Sequence, residues 1–143
     1  MSSRFRAPEG VLVVRVRRRG VLVEEARLAN LIVAAAGDVM AELMAGAPGA
    51  AAITTIGVGD DGTAPAPSDT GLANAVTKPL SSFAVSGNVA TFSYQFAAGD
   101  AVGLSIREFG LFDGNGVLVA RRTRAEIEKT ADLTLDGTWT VTF

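Results

Sequence analysis

Apolar and polar positions recur along this chain with two periods, and the shorter one dominates. Val11 to Val16 is an apolar, β-branched run, and Arg18-Arg19-Gly20 offers a reversal before a second run, Val21 to Val23, which together predict a β-hairpin. The period then lengthens. Leu28, Leu31, Ile32, Ala35, Ala36, Val39, Met40, Leu43 and Met44 recur at helical spacing opposite Arg27, Asn30, Asp38 and Glu42, which predicts one amphipathic helix. Gly46 supplies its left-handed stop and Pro48 follows, so the helix is expected to end near Ala45.

Beyond the helix the strand period returns. Ile53 to Val58 reads as a short buried strand, and 59–70 as a loop held extended by Pro65 and Pro67. Leu72 to Val76 is expected to form one helical turn, capped by Ser68, Asp69 or Thr70 and ended by Pro79. Leu80 to Val85 and Val89 to Phe96 flank Ser86-Gly87-Asn88, and Leu104 to Phe112 and Val117 to Arg122 flank Asp113-Gly114-Asn115-Gly116, giving two more hairpins. From Ala131 onward Leu133, Leu135, Trp139, Val141 and Phe143 alternate with polar residues, four of them threonines, as one long half-buried strand. Gly137 interrupts the apolar face, which points to a bulge or a closely approaching backbone. The expected fold is therefore α+β and β-rich: antiparallel, β-sandwich-like sheets built from hairpins, with one amphipathic helix packed across them. No linker or repeat divides residues 1–143, which read as one domain with 1–10 as a flexible arm.

Composition narrows the chemistry. Hydrophobic residues are 48% and charged residues 20%, enough apolar material for a folded core, and the formal charge of −2 gives no general attraction to nucleic acid or anionic lipid. No apolar stretch approaches the roughly 20 residues that span a bilayer, and the first ten residues lack the apolar centre of a secretory signal, so synthesis and retention in a cytosol are expected. Cysteine and histidine are both absent. That removes thiol and imidazole nucleophile systems, histidine bases and the usual zinc, copper and iron ligand sets, leaving carboxylates, lysine, tyrosine or a hard metal.

Three motifs could carry chemistry on that basis. Gly57-Val58-Gly59-Asp60-Asp61-Gly62 has the G-x-G-x-x-G form, but Thr63-Ala64-Pro65-Ala66-Pro67 cannot open a helix to hold a pyrophosphate, and two aspartates would repel it. Asp60, Asp61 and Asp69 could gather around calcium, yet their spacing is not that of an EF-hand, and turn aspartates bonded to nearby amides are the simpler reading. Glu108 sits in an apolar strand beside Arg107, so one of these charges is expected to be partly buried, with Arg121 or Arg122 on the next strand as partner. No catalytic residue, metal ligand, cofactor or small-molecule substrate is assigned. The contact regions expected are the hairpin arginines Arg15, Arg17, Arg18 and Arg19, and Asp60, Asp61, Thr63, Pro65, Pro67 and Asp69 of the loop, because both regions are exposed and either charged or locally rigid.

Two segments also carry a resemblance. Ile53-Thr-Thr-Ile-Gly-Val-Gly-Asp-Asp-Gly-Thr-Ala-Pro-Ala-Pro-Ser-Asp-Thr-Gly-Leu-Ala-Asn-Ala-Val76 precedes Ile106-Arg-Glu-Phe-Gly-Leu-Phe-Asp113 and Gly116-Val-Leu-Val-Ala-Arg121. In this order they resemble phage tail-collar and tail-fibre-associated proteins, as do Asn30-Leu31-Ile32-Val33, Glu128-Lys129-Thr130 and the threonine-rich final strand, so that the likeness runs from about Leu28 to Phe143. The resemblance implies a non-enzymatic structural protein of the virion. Its partners would be other tail or baseplate proteins, with a homo-oligomer, a trimer favoured, as the working assembly. The chain stops at Phe143 on the last core strand with no shaft or tip, which favours an adaptor or baseplate-peripheral protein over a receptor-binding fibre. The competing readings are a capsid decoration or head-to-tail connector, and a carbohydrate-binding β-sandwich with Tyr94, Trp139 or exposed phenylalanines stacked on sugar rings.

Overall fold

The structure, a computed structural model, describes residues 8–143. Nine strands and one helix follow one another: β1 (Glu9–Arg18), β2 (Val21–Ile32), α1 (Ala35–Ala45), β3 (Ile53–Gly59), β4 (Val76–Pro79), β5 (Ser82–Ser86), β6 (Val89–Phe96), β7 (Ser105–Asp113), β8 (Leu118–Glu128) and β9 (Leu133–Thr142). All pairings are antiparallel, in a single nine-stranded sheet of order β4-β3-β7-β8-β2-β1-β9-β6-β5. The fold is thus β-rich α+β, with one curled sheet and one helix. The ring of Tyr94 on β6 lies 6.2 Å from that of Phe109 on β7, which are well separated in strand order, so the two halves of the sheet face each other across the core.

The curl is fastened by one piece of chain. β4 pairs with β3 and β5 with β6, at opposite ends of the strand order, yet they follow each other directly in sequence. Between them the Leu80 amide donates to the Thr54 carbonyl (2.9 Å) and the Ser81 amide to the Ser93 carbonyl (2.8 Å). The span 76–86 therefore borders both rims of the sheet.

The three hairpins form where turn chemistry predicts. Arg19 and Gly20 both have positive φ (51° and 82°), as a two-residue reversal twisted to match the strands requires. Leu12, Val14 and Val16 of β1, Phe96 of β6, Ile106, Phe109 and Leu111 of β7, and Leu135, Trp139 and Val141 of β9 form the core. Helix α1 buries Ala36 and Val39 against the sheet and ends on Gly46, whose φ is 61°. Beside it lies a wholly apolar cavity of about 110 Å³, walled by Ile32, Met40, Phe92, Leu111, Val119 and Val141 among others.

Three expectations need correction. Leu28, Leu31 and Ile32 are not helical: β2 continues to Ile32, because a ladder from Val21↔Arg18 to Asn30↔Gly10 satisfies the backbone against β1, and Leu31↔Arg121 and Ile32↔Ala120 extend it against β8. Leu72 to Val76 forms no helical turn, since the Ala73 amide and carbonyl are taken by Glu108 and the Asp60 amide, and Asn74 turns left-handed (φ 49°) into β4. The expected arm 1–10 is in part strand, because Glu9 and Gly10 pair with Thr142 and Val141; residues 1–7 lie outside the described residues.

Gly137 does mark a close backbone. A Cβ there would run into the Val13 carbonyl and come within 3.0 Å of the Tyr94 hydroxyl. The missing side chain leaves the path along which Tyr94 crosses β9 to donate a hydrogen bond to that carbonyl, at 2.9 Å. The same device recurs at Gly10, where a side chain would displace Asn30, whose Oδ1 accepts from the Trp139 indole at 2.9 Å.

Candidate functional site

The loop between β3 and β4 is surface chain with a buried anchor. Glu108 on β7 is fully buried, and its Oε1 accepts from Arg121 Nε on the neighbouring strand β8 at 2.9 Å. Its other oxygen, Oε2, accepts the backbone amides of Asp61 and Ala73, each at 2.9 Å. Those amides lie at the two ends of the loop. One carboxylate therefore fixes both ends, and charge-assisted bonds of this kind are roughly twice as strong as neutral ones.

Arg121 completes the arrangement from the other side. Its side chain is 3% exposed, and every nitrogen of the guanidinium is used. Nη1 donates to Asp69 Oδ2 at 3.0 Å, and Nη2 to the Asp61 carbonyl at 3.1 Å, with the Asp61 carboxylate 3.6 Å away. Burial alone would lower the Arg121 pKa, but the hydrogen bonds and charges of Glu108 and Asp69 outweigh it and raise the value. Asp69 also accepts the Ala66 amide at 2.8 Å, and Asp61 the Thr63 amide at 2.8 Å; the Thr63 side chain first and that amide second hold the Asp61 carboxyl below the usual carboxylate range. Asp60 is tied separately to the Asn74 side chain at 2.9 Å.

Close approach at this anchor demands glycine. A Cβ on Gly59 would sit 2.5 Å from the Glu108 carboxylate and 2.6 Å from the Ala73 carbonyl. Gly57 and Gly110, paired across β3 and β7, leave room for Leu72, whose methyls would lie 3.1 Å from a Cβ at either position. The glycines of the G-x-G-x-x-G form thus serve packing, and no helix follows them. Asp61 and Asp69 turn toward Arg121, so a cation already occupies the place a calcium ion would need; among the described residues no three acidic groups gather for a metal.

Of the loop residues named from the sequence, Asp61 and Asp69 meet at Arg121, while Asp60, Thr63, Pro65, Pro67 and the hairpin arginines are not part of that arrangement. Thr63 and Pro67 are exposed, Pro65 is half-buried, and the Pro67 carbonyl accepts the Ala34 amide at 2.8 Å, tying the loop to the entrance of α1. Arg15, Arg17 and Arg18 each face a carboxylate: Glu25 at 3.4 Å, Asp136 at 3.2 Å and Asp132 at 2.6 Å. Only Arg19 of the four has no ion pair among the described residues, so the hairpin carries far less free positive charge than its sequence advertises. Sequence reasoning offered Arg121 or Arg122 as the Glu108 partner, and it is Arg121 that pairs; that the pair anchors the loop through Ala73, beside Leu72, and that Ala34 ties the loop to α1, was missed. Glycines within strand patterns at 57, 59 and 110 were the available signal, because such glycines mark close approach.

Comparison of the chain with family models, with curated proteins and with solved structures finds no match in any of the three.

Proposed function

We propose that this chain is a structural component of a tailed bacteriophage particle, an adaptor or attachment module of the tail or baseplate that works by docking through the loop 59–70. One observation carries the reading. The two segments that resemble tail-collar and tail-fibre-associated proteins, distant in sequence, meet at a single anchor, where Glu108 and Arg121 of the second hold Asp61, Asp69 and Ala73 of the first. A loop tied in this way presents Thr63, Pro67 and Thr70 to solvent in a set geometry, and preorganised surface binds with less entropy loss than mobile chain. We read the facing halves of the curled sheet as the two layers of the sandwich-like fold that the strand pattern predicts, with the virion, which the resemblance implies, as its location and other tail proteins as partners.

The carbohydrate reading has less support, since Trp139 is fully buried and Tyr94 nearly so, which leaves the exposed phenylalanines Phe83 and Phe143, among the described residues, as the rings that could stack on a sugar. Locating the chain in the particle tests the proposal. Gold-labelled antibody should mark the tail or baseplate, and deletion of the gene should leave incomplete particles. Label on the capsid would favour a decoration or connector role, and fully infectious particles from the deletion would end the proposal.

A further inference from the structure

The two outermost strands of the sheet are unlike in a way that bears on assembly. β4 carries Lys78 and Pro79, the residues that natural edges use to discourage a further strand. β5, Ser82-Phe83-Ala84-Val85-Ser86, carries neither. Every residue of it is exposed, Phe83 to 73% and Val85 to 69%. Among the described residues no strand pairs with its outer edge. No charged residue occurs from Pro79 to Gly99, so neither β5 nor its partner β6 carries a charge that would repel a like surface.

The ladder fixes what this edge offers. β5 and β6 are joined by the two-residue turn Gly87-Asn88, which makes Ser86↔Val89 the closing hydrogen-bonded pair and, by alternation, Ala84↔Thr91 and Ser82↔Ser93 as well. The backbone N–H and C=O groups of Phe83 and Val85 therefore point away from β6. The side chains of the same two residues lie on the apolar face, opposite Phe92 and Ala90.

We infer that β5 is a homodimer edge, in place of the trimer that the resemblance favours, pairing antiparallel with β5 of a second copy about a two-fold axis through Ala84. That register sets Phe83 of each chain against Val85 of the other, and joins residues whose free backbone groups both point outward. It places an aromatic ring against a β-branched side chain on one face, a favourable cross-strand pair, and Ser82 against Ser86 on the other. The strand is thus complementary to itself, as a two-fold interface requires. An acidic or basic partner strand has nothing here to recognise, which favours a copy of the same neutral strand.

Sedimentation of the purified chain is expected to give twice the 14.7 kDa chain mass. The variants F83E/V85E and F83K/V85K should each sediment as monomers with an unchanged circular dichroism spectrum, because their new charges sit on an exposed edge. An equimolar mixture of the two should restore the dimer, since the register places each glutamate opposite a lysine. V85P, which removes an outward N–H only, should weaken the dimer at least tenfold without unfolding the chain. A wild-type monomer or trimer, a dimer unaffected by these changes, or a mixture that stays monomeric would overturn the inference. None of these outcomes bears on whether loop 59–70 docks to a tail protein.

Discussion

Glu108 shows what a single buried charge does when both its oxygens are hydrogen-bonded. A carboxylate removed from water costs several kcal/mol unless it is paired and hydrogen-bonded, and here Arg121 and two amides meet that need. Glu108→Gln keeps the shape but leaves Arg121 without its buried counter-charge and turns an amide NH₂ toward a donor, so it should cost about 3–5 kcal/mol in urea unfolding. In the wild type the Asp61 and Ala73 amides, bonded to Glu108, are expected to exchange slowly with deuterium, and in the variant they should exchange at rates typical of exposed loops. At Gly137 the argument is steric. Gly137→Ala would press a methyl into the Val13 carbonyl and block Tyr94, at a cost of at least about 1–3 kcal/mol.

At the scale of elements, the strands and their turns were legible from alternation and from turn residues, and the bounds of β6 coincide with the predicted run Val89 to Phe96. What failed was the boundary between β2 and α1. Leu28 and Ile32 satisfy a helical period as well as a strand one, and only their partner strands, β1 at Leu28 and the distant β8 at Ile32, decide between them. Leu72 to Val76 failed for the same reason, its backbone groups being claimed by residues far along the chain. The Glu108 pair was legible because a charge in an apolar strand needs a neighbour; its reach into the loop was not, because no local pattern records which amides lie above it. The end of α1 was read from Gly46 and the following Pro48. Gly46→Ala forces a Cβ into the left-handed region, and a loss of about 1–2 kcal/mol with fraying of the last helical turn is expected by thermal melting and amide exchange.

Over the whole molecule, stability should depend on pH at both ends of the range. Asp61, Asp100 and Asp132 titrate below the ordinary carboxylate value, so their stabilisation is present above about pH 4 and is lost as pH falls through their lowered folded values. Two groups act in opposition at high pH. Burial, aided by Asp136, pushes the Tyr94 phenol far above its usual 10.0, so stability is full below pH 10 and declines above it, where the unfolded chain ionises and the folded one does not. Burial pulls the Lys129 amine down from 10.5, so between its lowered value and 10.5 the unfolded chain holds the extra proton and stability rises with pH. Tyr94→Phe should therefore abolish the alkaline decline while leaving the rise, and denaturant midpoints measured across pH would show both. Tyr94 is the one tyrosine in the chain, so phenolate absorbance reports its ionisation directly.

The span that borders both rims of the sheet also governs how the molecule comes into being. β1 must find β9 and β3 must find β7 before 76–86 has two rims to latch, so closure is the last event on the folding route and follows contacts between remote parts of the chain. Refolding followed by the fluorescence of Trp139, the only tryptophan, should take milliseconds to seconds, as for other sheets of non-local pairing. Loosening the latch should mainly hasten unfolding and leave the refolding rate nearly unchanged.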